Sequence, residues 1–379
     1  MYIERNLDVK SILAKKSVFL FGPRQCGKSS LIDHCLSDVP LFDLLSSETF
    51  IRLSQDSSYI EAACGERRLA VIDEIQKLPS LLDEVHRLIE RKGFRFLLTG
   101  SSARKLRRKG VNLLGGRARI RHLHPFSAYE LKERFNLERA VNFGLLPPVW
   151  FSDEPYEELS DYVDEYLRQE IIAEGATRNL PAFSRFLEVA ALSNGEQIDY
   201  TSISRDAQVP RSTVREYFNI LHETLLASEV PSWKGGTSRK TVETSKFYFF
   251  DSGVVRVLSK RRETTPGTPE FGHLLETLVH HELRCYLDVH TRNGEIFYWR
   301  TPSGTEVDFI VGNSAFEVKG TSRVNTHDMK GLKSISTEGS FAHRVIVCRE
   351  PLPFVKDGIE VLPYDVFVDR LWHNELITV

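Results

Sequence analysis

Two stretches of this sequence combine residue types and spacings that can do chemistry. The first is GPRQCGKSS, residues 22–30. Gly22 and Gly27 bracket Pro23, Arg24, Gln25 and Cys26, and Lys28, Ser29 and Ser30 follow. This G-x-x-x-x-G-K-S spacing, between an apolar strand (SVFLFG) and a run that opens a helix (GKSSLIDHCL), is that of a phosphate-binding loop. The glycines let the backbone turn so that several N–H groups face one point, and the helix N-terminus adds partial positive charge there. Lys28 is then expected to reach the β- and γ-phosphates of ATP, and the Ser29 hydroxyl to bind Mg²⁺.

The second stretch is TEVDFIVGNSAFEVKG, residues 305–320. If Gly312-Asn313 is a two-residue hairpin turn, Val311 faces Ser314, Asp308 faces Glu317 and Glu306 faces Lys319. The strand period of two then puts all four charged side chains on one face. Asp308 and Glu317 would repel. A divalent cation between them would relieve that, leaving Lys319 to stabilise a phosphate or orient an attacking water. The plainer alternative is a Glu306–Lys319 ion pair with Asp308 and Glu317 facing water.

Other residues group around the first stretch. LAVIDEIQ is an apolar strand ending in Asp73-Glu74; Asp73 is placed to hold Mg²⁺ through water and Glu74 to polarise the attacking water. That pair suits hydrolysis and sets aside a P-loop kinase, for which no acceptor site is visible. FLLTGSS ends the neighbouring strand with Thr99, Ser101 and Ser102, able to sense a γ-phosphate or to cap the next helix. Arg104, Lys105, Arg107, Arg108, Lys109, Arg117, Arg119 and Arg121 follow without an acid among them. Phosphate contact with nucleic acid, an arginine finger for a neighbouring subunit, and a solvated loop all fit that run.

The elements that must position these residues alternate strand and helix over residues 17–135, as in a parallel α/β sheet. Residues 155–190 read as helical, the first part acidic with Arg168 its one cation up to residue 170. Residues 199–230 have a helix-turn-helix rhythm: TSISRDAQ, a turn at Val209-Pro210, then RSTVREYFNILHET with Ser212 as N-cap. Val214, Phe218 and Leu221 share one face of the second helix; Arg211, Thr213, Arg215 and Asn219 can face a DNA groove. LLASEVPSW and KFYFFDS are expected as the strands of a wing, and KRRETTPGTPE (260–270) as a linker.

With 379 residues the chain is long enough for two or three domains. A net charge of −2 gives no whole-chain attraction to nucleic acid or anionic membrane, so any basic surface is local. No apolar run spans a bilayer. The five cysteines are scattered without metal-ligand spacing, which makes a reducing cytoplasm the simplest setting.

Taken in order, the phosphate loop, VIDEIQKLP, LLTGSS, LLGGRARIRHLHPFSAYEL and SKFYFFDSGVVRVL resemble the prokaryotic AAA-type ATPases that carry a C-terminal domain of uncharacterised function. The resemblance covers nearly the whole chain. It implies an AAA-type P-loop domain over residues 1–140, a helical and winged-helix module over 141–260, and a restriction-endonuclease-like α/β domain over 261–379. It gives Lys28 and Ser29 the nucleotide, gives Asp73 and Glu74 Mg²⁺ and hydrolysis, and makes Arg117 the finger, hence a homo-oligomer. The sensor asparagine of the wider AAA group is absent, leaving Thr99 or Ser101 in its place. The 305–320 stretch is similar to the PD-(D/E)XK nuclease signature, with DNA as the implied partner. That fold also supplies a helix glutamate: Gly272-x-x-x-Glu276 matches its spacing, while Glu282 is the odd charge on an apolar stripe. Glu276 ranks first.

Overall fold

The computed structural model describes residues 2–104, 106, 114–167, 179–235, 242–290 and 294–377. Lys105, Arg107, Arg108 and Lys109 of the basic run, and Arg168, lie outside the described residues. The chain divides into two units, Met1–Pro125 with Glu223–Leu225, and Phe126–His222 with Leu226–Val379.

In the first unit, β1 (Ser17–Phe21), β2 (Leu41–Asp43), β3 (Leu69–Asp73), β4 (Arg95–Gly100) and β5 (Ala118–His122) form one parallel sheet in the order β2-β3-β4-β1-β5. β1, β3 and β4 are near-continuous apolar runs because both faces of a parallel sheet are covered. Phe19, Phe21, Ile72, Phe96 and Leu98 pack with Leu82, Val85 and Leu88 of the helix Leu81–Lys92. The order matters for chemistry. β4 lies between β1 and β3, so its C-terminal end stands between the phosphate loop after β1 and Asp73 at the end of β3.

In the second unit, β6 (Ala227–Val230) and β7 (Lys246–Phe249) pair antiparallel. β8 (Phe297–Arg300), β9 (Glu306–Val311), β10 (Ser314–Val318), β11 (His343–Cys348), β12 (Phe354–Lys356) and β13 (Ile359–Pro363) form a mixed sheet in the order β12-β13-β11-β10-β9-β8. The 21-residue helix Pro269–Val289 is capped by Thr268 Oγ1, which accepts from Phe271 N. Its apolar residues are buried along its whole length. Among the described residues no helix is long and apolar enough to cross a membrane.

The structure bears on four of these expectations in detail. Residues 141–260 and 261–379 fall in one unit, because Tyr248 of β7 stacks on His280 of the long helix (centroids 4.6 Å apart) and Trp233 N donates to Tyr298 O of β8 at 2.7 Å. The helix Ala128–Leu131, inside the span expected for the AAA-type domain, lies in the second unit and carries a Ser127–Glu130 capping box. The second helix of the helix-turn-helix starts at Arg211, so Ser212 lies in its first turn rather than at its cap. β9 is irregular against β8: Phe297 faces Ile310 and Trp299 faces Val307, three residues against two.

Glu282 is fully buried and accepts from Ala128 N at 2.9 Å and Trp372 Nε1 at 2.6 Å. Loss of hydration pushes its carboxyl up to about 7, against those two hydrogen bonds. A carboxyl raised in the folded state favours folding fully below its unfolded value and loses that contribution as pH climbs through the folded one. Glu282 is therefore expected to destabilise the fold by roughly 2–3 kcal/mol between pH 4.5 and pH 8. Urea unfolding across that range should show a shallower pH slope in Glu282→Gln than in wild type; equal slopes would contradict it.

Candidate functional site

The phosphate loop connects β1 to the helix Lys28–Cys35. Gly22 is required by packing, since a Cβ there would sit 2.2 Å from the carbonyl oxygen of Leu123. Gly27, the residue before the helix, has φ +98°, which disfavours any side chain. Pro23, Cys26 and Lys28 are buried, Arg24 and Gln25 half-buried, and Ser29 and Ser30 exposed. The Lys28 ammonium donates to the carbonyls of Gly22 (2.7 Å) and Pro23 (2.9 Å). Arg5, which no sequence signal marked, donates to Cys26 O at 2.8 Å and His124 O at 2.6 Å, tying the loop to the segment after β5.

Across β4, the Thr99 hydroxyl donates to Asp73 Oδ1 and accepts from Glu74 N at 3.4 Å. One buried side chain thereby fixes both acids. Glu74 adopts the left-handed conformation (φ 59°, ψ 43°), which costs a non-glycine residue about 1–2 kcal/mol. Such strain persists only where the surroundings hold it. Gln76 does part of that by donating from Nε2 to Glu74 Oε2, a contact sequence reasoning missed. Ser101 is buried, and Ser102 Oγ accepts from Arg104 N at 3.4 Å. The Ser29 hydroxyl and Asp73 carboxylate are hard oxygen donors of the kind Mg²⁺ takes.

The second constellation lies in the other unit. The β9–β10 hairpin has Val311 opposite Ser314, and Asp308 Oδ2 accepts from Val318 N at 2.7 Å. Glu306 does not pair with Lys319. It pairs with Lys246 of β7 and, at 2.9 Å, with Arg300 of β8. Lys319 instead meets Glu317 Oε1 on its own strand segment at 2.6 Å. Glu317 Oε2 is buried without a hydrogen-bond partner.

Glu276 joins this group and Glu282 does not. Glu276 Oε1 lies 3.3 Å from Lys246 Nζ and accepts from Tyr248 OH at 2.5 Å. Burial pushes Glu276 up to about 7, with Lys246 pulling it down and Asp308 pushing it further up. Glu317 is also held well above the carboxylate range, by burial and then by Asp308. Burial pulls Lys246 and Lys319 down, but for each the neighbouring carboxylates win and the ammonium stays charged. As placed, Glu276 Oε1, Glu317 Oε1 and Asp308 Oδ2 already have partners. Among the described residues no group of three or more His, Cys, Asp or Glu side chains is arranged to hold a metal ion. The cluster in this arrangement does not fit a divalent cation.

Of the remaining expected residues, Arg117 donates to Glu90 and, at 3.4 Å, to Gly115 O. Arg211, Arg215 and Asn219 are exposed and Thr213 is half-buried, while Val214, Phe218 and Leu221 are buried. Lys246 and Tyr248 were missed. The signal was there, since Lys246 opens an otherwise apolar strand.

Comparison with known proteins divides the chain into three. Residues 14–132 match the family model described as an AAA domain. Residues 134–265 and 271–367 each match a model described as a domain of unknown function. Uncharacterized proteins of Mycobacterium bovis and Mycobacterium tuberculosis are each 26% identical over 318 residues, covering 80% of this chain and 70% of theirs. One from Methanocaldococcus jannaschii is 23% identical over 343 residues, 82% of this chain and 75% of its own. Among solved structures, the Thermotoga maritima RuvB Holliday junction branch migration motor aligns at 14% identity and TM-score 0.29, over 59% of this chain and 86% of that one. A signal transduction ATPase with numerous domains and a tetratricopeptide repeat sensor, from Pyrococcus horikoshii, aligns at 15% identity and TM-score 0.24, over 76% and 47%. Both scores lie below the level of a common overall fold. The family match and the site geometry agree that residues 14–132 carry a P-loop domain of the AAA type.

Proposed function

We propose that the chain binds and hydrolyses ATP at the phosphate loop. The observation that carries this is the Thr99 hydroxyl joining Asp73 and Glu74 across β4, beside a loop whose lysine is held ready by main-chain carbonyls. Lys28 exchanges the carbonyls of Gly22 and Pro23 for phosphate oxygens. Ser29 and Asp73 are the residues that would hold Mg²⁺, which when bound neutralises charge on the β- and γ-oxygens. Glu74 orients and deprotonates the water, and Gln76 holds its carboxylate until then. Arg117 serves as a finger for a neighbouring subunit. Lys28→Ala should abolish tight ATP binding. Glu74→Gln should retain it and lower turnover by two orders of magnitude or more, since Lys28 contacts phosphate in the ground state and Glu74 acts on the water. Wild-type turnover in Glu74→Gln would refute the assignment.

A second proposal concerns the partner. The exposed Arg211, Arg215 and Asn219 on the helix Arg211–Glu223, with Glu276, Asp308, Glu317 and Lys319 gathered in the same unit, favour action on nucleic acid. The alternative is a nucleotide-driven switch that binds proteins and keeps a silent nuclease-like domain. Arg211→Ala combined with Arg215→Ala should weaken duplex DNA binding and flatten its salt dependence by about two phosphate contacts. DNA binding unchanged in the double variant, or none in wild type, would favour the switch.

A further inference from the structure

Lys246 is the least expected member of the carboxylate cluster. It comes from β7, whereas the acids come from the helix Pro269–Val289 and from β9 and β10. Its side chain is only 4% exposed. Its ammonium meets Glu306 Oε1, lies 3.3 Å from Glu276 Oε1, and sits 5.6 Å from the centre of the Tyr298 ring. A lysine buried this deeply is tolerated only when carboxylates surround it. Two further contacts hold its partners in place: Tyr248 OH on Glu276, and Arg300 on Glu306.

Fully ionised, the cluster carries one excess negative charge with this lysine and two without it. Four carboxylates (Glu276, Glu306, Asp308 and Glu317) face three cations (Lys246, Lys319 and Arg300). Without Lys246 the excess would be two negative charges, which is what one divalent ion neutralises. One oxygen, Glu317 Oε2, is buried and unpaired even with the lysine in place.

We infer that Lys246, seated between Glu276 and Glu306, is a built-in counter-cation that stands in for a divalent metal ion in this cluster and keeps the cluster closed to it. The inference rests on reading the cluster as nuclease-like. A methionine has nearly the same length and no charge, so Lys246→Met empties the place without adding bulk.

The test is Mn²⁺ binding to the full chain without nucleotide, followed by the paramagnetic resonance of free Mn²⁺. Lys246→Met should bind one additional Mn²⁺ at least tenfold more tightly than wild type, and adding Asp308→Asn should remove the gain. Because Lys246→Met leaves net charge unbalanced, Lys246→Met with Glu306→Gln is measured alongside; it keeps the wild-type balance and should show the same gain. Equal, Asp308-dependent affinity in wild type and variants would overturn the lysine's role while leaving the cluster as a metal site. No Mn²⁺ binding by any of the folded proteins would overturn both.

Discussion

Charge taken out of water must be matched within a few ångströms, and both candidate sites are built around that constraint. In the first unit Lys28 is matched by two main-chain carbonyls and Asp73 by a threonine hydroxyl. In the second, Lys246 is matched by Glu276 and Glu306, and Glu317 by Lys319. Partners of such buried groups can change only if another group of matching polarity replaces them. A site of this kind therefore has discrete states, filled by its own side chains or by a ligand.

The two sheets supply the charges differently. The parallel sheet brings the ends of β1, β4 and β3 side by side, so residues far apart in sequence converge with no special loop to gather them. Glu74 then sits in a strained backbone conformation, oriented by Thr99 and Gln76 rather than by its own strand. The mixed sheet collects its acids through a hairpin and a helix. Glu306 pairs with Lys246 and Arg300, away from the partner that strict alternation would give it.

Much of this was legible in the sequence because the signals were local. The phosphate loop, Asp73-Glu74 and the Gly312-Asn313 turn are each short runs whose residue types and spacing carry their own signal. The neighbouring position of FLLTGSS followed from strand–helix alternation, and β4 does pair with both β1 and β3. Arg5 and Lys246 were not found because sequence distance hides their contacts; Lys246 and Glu306 are sixty residues apart. Gln76 lies two residues from Glu74, but their contact depends on the left-handed turn at Glu74, which the sequence does not announce. The choice between Glu276 and Glu282 was open from spacing alone. The structure separates them through their partners, a lysine and a tyrosine for one, a backbone amide and an indole for the other.

The proposed function is nucleotide turnover by the full chain, with nucleic acid as the proposed partner. The most direct measurement is phosphate release from ATP with Mg²⁺, with and without duplex DNA, against Lys28→Ala as background. Turnover well above that background is expected, rising when DNA is added and losing the rise at high salt. Turnover indistinguishable from Lys28→Ala under both conditions would contradict it.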